Sequence, residues 1–230
     1  MRRAKIVATL GPASDNPAIL ESLIKTGVDV FRLNFSHGTH EEHAARIARV
    51  RAAGKKLGRQ PAILQDLCGP KIRVGEMENG AIKLATGQKT TITMKPCLGT
   101  PERFCSQYPA LAQDVKKGDR ILLDDGALEL KVLGKKNGEI SCLVIAGGTL
   151  KNKKGMNLPG VAVSAPAVTA KDWADLEFGL KAEVDFVALS FVRKPEELHE
   201  VRRRLKKAAH QPMLIAKIER PEAVERMEEI

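Results

Sequence analysis

Seven side chains in this sequence have the types and spacing of a phosphate and cation site: Arg32, Asn34, Ser36, Asp66, Ser190, Lys217 and Glu219. Arg32, Asn34 and Ser36 alternate with Phe31, Leu33 and Phe35. That two-residue period belongs to a strand, whose successive side chains point to opposite faces. One face is apolar; the other ends in polar groups, which need partners wherever they are buried. Lys217 and Glu219 repeat the pattern beside Ile215, opposite Leu214, Ala216 and Ile218. Asp66 and Ser190 close two further apolar runs. Arg32, Lys217 and the nearby Arg73 suit phosphate or carboxylate. Asn34, Ser36 and Asp66 offer hard oxygens, and Glu219 could hold Mg²⁺ with substrate oxygens and water completing the shell. Cations and a divalent ion clamped on a moving phosphate are the parts of phosphoryl transfer. There is no GxxxxGK[ST] loop and no kinase-type GxGxxG, so neither common nucleotide fold applies.

Such side chains need a scaffold that gathers strand ends. Lys5 to Leu10 reads as a short buried strand closed by Gly11-Pro12. Ser14 or Asp15 is placed to cap a helix through Thr26, ended by Gly27. The strand over 29–36 follows. Thr39 and Glu42 then make a capping box for a helix to about Ala53, ending at Gly54. Ala62 to Asp66 is a third strand, and strands separated by helices predict a parallel α/β arrangement. The character changes after Arg73. Residues 74–160 carry short alternating runs and the hairpin turn signals Asp124-Asp125-Gly126 and Lys136-Asn137-Gly138. This predicts a small all-β domain inserted into the α/β one. Helix and strand then resume: helix from Lys171 to Leu180, strand from Asp185 to Ser190, helix from Pro195 to Ala209, strand from Met213 to Ile218, and a helix opened by Pro221. The expected domains are 1–73, 74–160 and 161–230. Without the insertion, the α/β part is well short of the about 250 residues of a closed eightfold barrel, so the sheet is open or the barrel unfinished. In either case all seven side chains sit at C-terminal strand ends, where such folds build their sites.

A formal charge of +10 favours anionic partners: nucleic acid, an acidic membrane surface or a phosphorylated small molecule. Aromatic residues at 3% are too few for base stacking, and no recognition motif is present, which argues against nucleic acid. No apolar stretch approaches the roughly 18 residues of a transmembrane helix. The four cysteines, Cys68, Cys97, Cys105 and Cys142, form no CxxC pair. With no secretory signal, free thiols fit the cytoplasm. The basic run Arg202-Arg203-Arg204 reads as the solvated face of a helix. His37-x-x-His40-x-x-His43 invites a metal reading, but its place at a capped helix start favours solvated histidines. His199 and His210 are expected at the surface.

Five segments carry a resemblance to the pyruvate kinase family: Lys5-Ile-Val-Ala-Thr-Leu-Gly-Pro-Ala-Ser14, Phe31-Arg-Leu-Asn-Phe-Ser-His-Gly38, Gly69-Pro-Lys-Ile-Arg73, Lys153-Lys-Gly-Met-Asn-Leu-Pro-Gly160 and Ile215-Ala-Lys-Ile-Glu219. The resemblance implies a partial TIM (β/α)8 barrel with an inserted β lid domain. It implies phosphoryl transfer from phosphoenolpyruvate to ADP, giving pyruvate and ATP, the last step of glycolysis. Arg32 and Lys217 then resemble the phosphoenolpyruvate contacts, with Ser190 beside them and Arg73 in the catalytic set. Glu219 resembles one of two carboxylate ligands of Mg²⁺ (or Mn²⁺). Asn34, Ser36, Asp66 and the Leu67 carbonyl resemble ligands of K⁺. Asn34, Phe35, Ser36, His37, Arg73 and Lys154 match contacts to the ADP or ATP phosphates, and lid closure would bring Lys154 over the substrate. The family's full-length enzyme is implied to be a homotetramer. Three departures stand out. Cys68 replaces a common lysine. Lys71 replaces a glutamate that accompanies potassium dependence, so its ammonium could take the place of K⁺. The 230 residues stop before the family's Ala-Arg-Gly-Asp-Leu-Gly motif, which holds the second Mg²⁺ ligand. The polypeptide alone is therefore expected to be inactive and marginally folded. The other readings are a split or decayed fragment serving as an interaction partner, and a basic nucleic-acid-binding protein.

Overall fold

The alternation in residues 28–36 fixes the first layer. In the computed structural model, which describes residues 4–161 and 163–230, Phe31, Leu33 and Phe35 are fully buried while Arg32, Asn34 and Ser36 are half-buried on the other face. In chain order the elements begin with β1 (Ile6–Thr9), α1 (Pro17–Thr26), β2 (Val28–Asn34), α2 (His40–Lys56) and β3 (Ala62–Asp66). There follow β4 (Ala81–Leu84), β5 (Lys89–Thr93), β6 (Arg103–Cys105), the single turn α3 (Leu111–Asp114), β7 (Arg120–Leu123), β8 (Leu128–Lys136), β9 (Glu139–Ala146), β10 (Gly148–Lys151) and β11 (Met156–Asn157). Last come α4 (Ala170–Lys181), β12 (Phe186–Leu189), α5 (Glu196–Leu205), β13 (Met213–Ala216) and α6 (Pro221–Glu225). They form two compact units, Met1–Pro70 with Pro166–Ile230, and Lys71–Ala165.

The first unit is α/β. Its five strands lie in the order β1-β2-β3-β12-β13, every pairing parallel. Strands that neighbour in chain order and cross over through helices make the wall of a barrel of the TIM type. The register sets Asn34 beside Asp66 and Asp66 beside Ala188, and Leu189 beside Ala216. One residue further on, Ser190 and Lys217 are therefore level. The opposite face, with Phe31, Leu33, Ile63, Val187 and Leu189, packs on helix residues such as Ile47, Leu176 and Val201.

Several local expectations need correction. The cap of α1 is Asn16, whose side chain accepts from the Ala18 N–H at 2.9 Å. Pro17 brings no N–H and a preset φ, so it takes the first helical position and the cap must directly precede it. Ser14 instead closes a turn on Gly11, and Asp15 pairs with Arg46 and Arg49. Helix α2 runs on to Lys56, beyond Gly54. A side chain at Gly54 would meet the Arg59 carbonyl and the Pro61 ring at 2.7 Å, so that glycine permits close packing and is not a stop. Helix α5 ends at Leu205, short of the expected Ala209. Strand β1 is not buried: Ile6 and Val7 are about half exposed, because β1 lies at one edge of the sheet and pairs with β2 alone. The capping box of α2 is present as read, and Thr169 with Asp172 makes a second one for α4.

Gly179 shows how tightly the sheet and α4 fit. A Cβ there would come within 2.1 Å of Gln65 Oε1, and Gln65 is fully buried with its Nε2 donating to the Asp175 carbonyl at 2.7 Å. Gly179→Ala should destabilise the protein by about 1–3 kcal/mol through overpacking. Adding Gln65→Ala should recover part of that loss. A denaturation cycle with purely additive effects would show that the two residues do not interact.

The second unit is mainly β. A six-stranded sheet in the order β11-β7-β8-β9-β5-β6 stands beside a two-stranded one of β10 and β4. Asn137 and Gly138 both have positive φ between paired Lys136 and Glu139, the two-residue turn that matches strand twist. Its own core includes Ile92, Phe104, Ile121, Leu130 and Ile140. Among the described residues no helix is long and apolar enough to cross a membrane.

Candidate active site

Asp66 is the centre of the polar cluster. It ends β3 on the face shared with Arg32 and Asn34, and it is only 3% exposed. A carboxylate buried that deeply must be paired. Arg32 supplies Nε at 2.7 Å and a terminal nitrogen at 2.6 Å, both to Oδ2. Lys217 Nζ lies 3.2 Å from Oδ1, and Ser190 Oγ, whose proton goes to the nearer Leu67 carbonyl, lies 3.3 Å from the same oxygen. Arg32 is steadied from its other side by Thr9 Oγ1, 2.8 Å from Nη1. Lys217 also reaches Ser190 Oγ at 2.9 Å and Glu219 at 3.3 Å. Arg32 and Lys217 keep 29% and 27% of their side chains exposed, so an anion can reach both while Asp66 holds them from behind. Two cations and two carboxylates make the cluster neutral before any ligand arrives.

Of the remaining predicted residues, Glu219, Asn34, Ser36 and Leu67 lie in the same unit as this core. Glu219 Oε2 accepts from the Phe191 N–H at 3.0 Å. Phe191 has a left-handed φ of 57°, a conformation that bulky residues seldom adopt. Asn34 Oδ1 accepts from the Ser36 N–H at 3.0 Å, and the Leu67 carbonyl accepts from Ser190 Oγ at 2.7 Å. His37 and Lys71 are exposed. Arg73, Lys71 and Lys154 belong to the second unit. There Arg73 donates to the Lys153 carbonyl at 2.6 Å, and Lys154 pairs with Asp124 at 2.8 Å. Cys68 is half-buried and free; nothing in its surroundings explains its presence.

The histidine motif is not as expected. His43 is buried, 2% exposed, and stacks on Phe35 with ring centroids 4.0 Å apart. His40 pairs with the buried Asp175 at 2.8 Å. A capped helix start implied solvent, but this one packs against the end of β2 and against α4. No group of three or more potential metal ligands occurs among the described histidines, cysteines and carboxylates. His199 and His210 are exposed as read. Thr9, Lys171, Asp172 and Asp175 escaped the sequence reading. Asp172, fully buried, accepts from the Gly69 N–H at 3.0 Å and so fixes the turn after Asp66. Its T-x-x-D spacing from Thr169 was a legible signal.

As a donor set for Mg²⁺ the cluster offers Glu219, whose carboxylate reaches the surface; one carboxylate with substrate oxygens is a common way to hold that ion. The oxygens suited to a monovalent cation are already engaged. Asp66 carries an arginine and a lysine, the Leu67 carbonyl carries Ser190, and Asn34 caps its own turn.

A parallel α/β sheet with paired cations converging at its C-terminal strand ends defines a barrel-type fold whose strand-end cluster has the chemistry to receive an anion. Comparison with known proteins narrows that class. The family model for the pyruvate kinase barrel domain matches residues 1–230, and the chain belongs to that family. The pyruvate kinase of Geobacillus stearothermophilus is 50% identical over 234 residues, covering 100% of this chain and 40% of that protein. Those of Staphylococcus saprophyticus and Staphylococcus aureus are 48% and 46% identical, again over 40% of their length. The five parallel strands are thus part of a TIM barrel, and the chain spans about 40% of the relatives it matches.

Proposed function

We propose that these residues serve phosphoryl transfer from phosphoenolpyruvate to ADP, giving pyruvate and ATP in the cytoplasm. The observation that carries the reading is the convergence of Arg32 and Lys217 on one buried aspartate at the strand ends, each with an open side. Arg32 binds and orients the phosphate of phosphoenolpyruvate through its planar fork. Lys217 places a compact charge where the phosphoryl group leaves. As the P–O bond to the enol oxygen breaks, its electron pair stays on that oxygen, and an oxygen of the ADP terminal phosphate takes the phosphorus. The Lys217 ammonium stabilises both the moving phosphoryl group and the enolate, which then takes a proton at carbon to give pyruvate. Ser190 holds Lys217 in place. Mg²⁺, held by Glu219 and substrate oxygens, would supply charge neutralisation of the phosphates. Asn34, Phe35, Ser36 and His37, with Arg73 and Lys154 of the second unit, are proposed for the nucleotide phosphates. In the same reading the first unit, Met1–Pro70 with Pro166–Ile230, is barrel and the second, Lys71–Ala165, a lid, bounds a few residues from the 1–73, 74–160 and 161–230 of the sequence reading, and the full-length enzyme is an oligomer.

Asn34, Ser36, Asp66 and Leu67 would form the K⁺ shell in a potassium-dependent relative. Here Lys71 stands where a glutamate accompanies potassium dependence in the family, and we infer that its ammonium takes the place of K⁺ and that the reaction proceeds without that ion. The test is turnover of phosphoenolpyruvate, ADP and Mg²⁺ by the 230-residue chain and by the same chain joined to the remaining part of the Geobacillus relative. The joined chain should form pyruvate and ATP, the shorter one should stay at background, and added K⁺ should not change the rate. A joined chain that melts cooperatively yet does not turn over would overturn the reading. Strong activation by K⁺ would overturn the cation part alone.

A further inference from the structure

The motif His37-x-x-His40-x-x-His43 has no part in the chemistry above, yet two of its rings are built into the layer behind β2. The residues that leave that strand, 35–38, are gripped at two carbonyl groups by side chains from two helices. Lys171 Nζ, on α4, donates to the Phe35 carbonyl at 2.8 Å. His43 Nε2, on α2, lies 2.9 Å from the His37 carbonyl. A carbonyl only accepts, so the proton of the neutral ring sits on Nε2. His43 Nδ1 is then a buried lone pair, and it has no hydrogen-bond partner. The ring lies nearly flat on Phe35, with an interplanar angle of 13°. Lys171 is anchored in turn by Asp175 at 2.5 Å, and the other Asp175 oxygen holds His40, whose ring stacks on Phe178 at 4.6 Å. Between the two grips the Ser36 and His37 N–H groups both close on Asn34.

We propose that His43 and Lys171 are positioning residues: by holding the carbonyls of Phe35 and His37 they fix the backbone that presents Ser36 and His37 to a phosphate, and His43 does so only while neutral. The phosphate role rests on the reading above; the grip on the backbone does not. The ionisable groups around His43 are His40, Glu42 and Arg46 on its own helix, Lys171 and Asp175 from α4, and His37 in the gripped segment. Burial is the main cause that holds its pKa below the ordinary histidine range. The bond to His37 opposes that shift, Arg46 and Lys171 add to it, and Asp175 opposes it. Protonation would put a second N–H on Nδ1, where no acceptor is available, and the ring can satisfy it only by leaving the stack. The sign follows from the lowered folded-state pKa. The stabilisation is complete above the unfolded value of about 6.5 and is lost as pH falls through the histidine range toward the folded value.

Hydrogen-exchange mass spectrometry of the protein, read in the peptide spanning 34–38 and corrected for intrinsic rates, tests this. Protection should fall at least about tenfold between about pH 7.5 and about pH 5.5. His43→Gln cannot titrate, but its carboxamide N–H can donate to His37, so it should keep protection at both values. His43→Phe and Lys171→Met should lose it at both. A wild-type segment equally protected at the two pH values, or His43→Gln as loose as His43→Phe, overturns the proposal. If His43→Phe does not fold, the wild-type and His43→Gln pair still decides. Lost protection with unchanged ADP affinity would leave the grip standing and overturn the phosphate role of the segment.

Discussion

Replacing Asp66 with alanine should lower the unfolding free energy by about 3 kcal/mol or more. The carboxylate is 3% exposed and is the shared counter-charge of Arg32 and Lys217. Removing it leaves the Arg32 guanidinium without a carboxylate partner and Lys217 with Glu219 alone, two like charges at the end of the sheet with one counter-charge between them. Both cations are about a quarter exposed, so water recovers part of the loss; that places the effect at the lower end of the range for breaking a buried pair. Asp66→Asn keeps the volume and one acceptor oxygen but no charge, and should fall between wild type and alanine. Urea unfolding with unchanged slope reads the difference directly. A further signature separates electrostatics from packing. Inorganic phosphate should stabilise Asp66→Ala more than wild type, because two cations left with the single carboxylate of Glu219 carry a net positive charge and bind an anion that the neutral cluster holds less tightly. A midpoint shift worth less than about 0.5 kcal/mol, within the range of an ordinary surface substitution, would show that Asp66 is not the keystone of the cluster.

What the sequence revealed follows from periodicity. The β2 alternation named both the core face and the site face correctly, because a strand within the sheet meets one environment on each side and its neighbours are in register. The second capping box and the i,i+4 pair Lys171–Asp175 are equally local and legible from spacing alone. Other features are long-range. Strand β1 reads as a buried apolar run, yet its exposure is set by which strands flank it, and composition does not encode that. His40 and His43 look like solvated helix-start residues until α4 arrives against them, more than a hundred residues away in sequence. Gln65 and Gly179 belong to the same class: each is unremarkable alone, and their contact is the constraint. The Asn16 cap is local too, since Pro17 fixes where the helix begins.

In a chain competent for turnover, Lys217→Met should cut kcat by about a hundred- to a thousandfold while leaving the fold nearly as stable as before. The two effects separate because of how the cluster is wired. Without Lys217, Asp66 keeps both contacts from Arg32, so its charge is still paired, and the methionine stem replaces most of the apolar volume. The chemistry has no such reserve. Arg32 is tied to Thr9 and to Asp66 Oδ2, whereas Lys217 alone sits level with Ser190 and beside Glu219, where charge would build on the enolate. Loss of one preorganised electrostatic contact to a developing anion is worth about 2.7–4 kcal/mol. That contact forms only as the bond breaks, so kcat and kcat/KM should fall together and the KM for phosphoenolpyruvate should change little. Lys217→Arg sharpens the test. It preserves the charge, but a planar fork cannot occupy the compact place held between Ser190, Asp66 and Glu219, so most of the loss should remain. Turnover of Lys217→Met within about threefold of wild type, well under the hundredfold expected of such a contact, would mean that the strand-end lysine holds the cluster together without acting on the phosphoryl group.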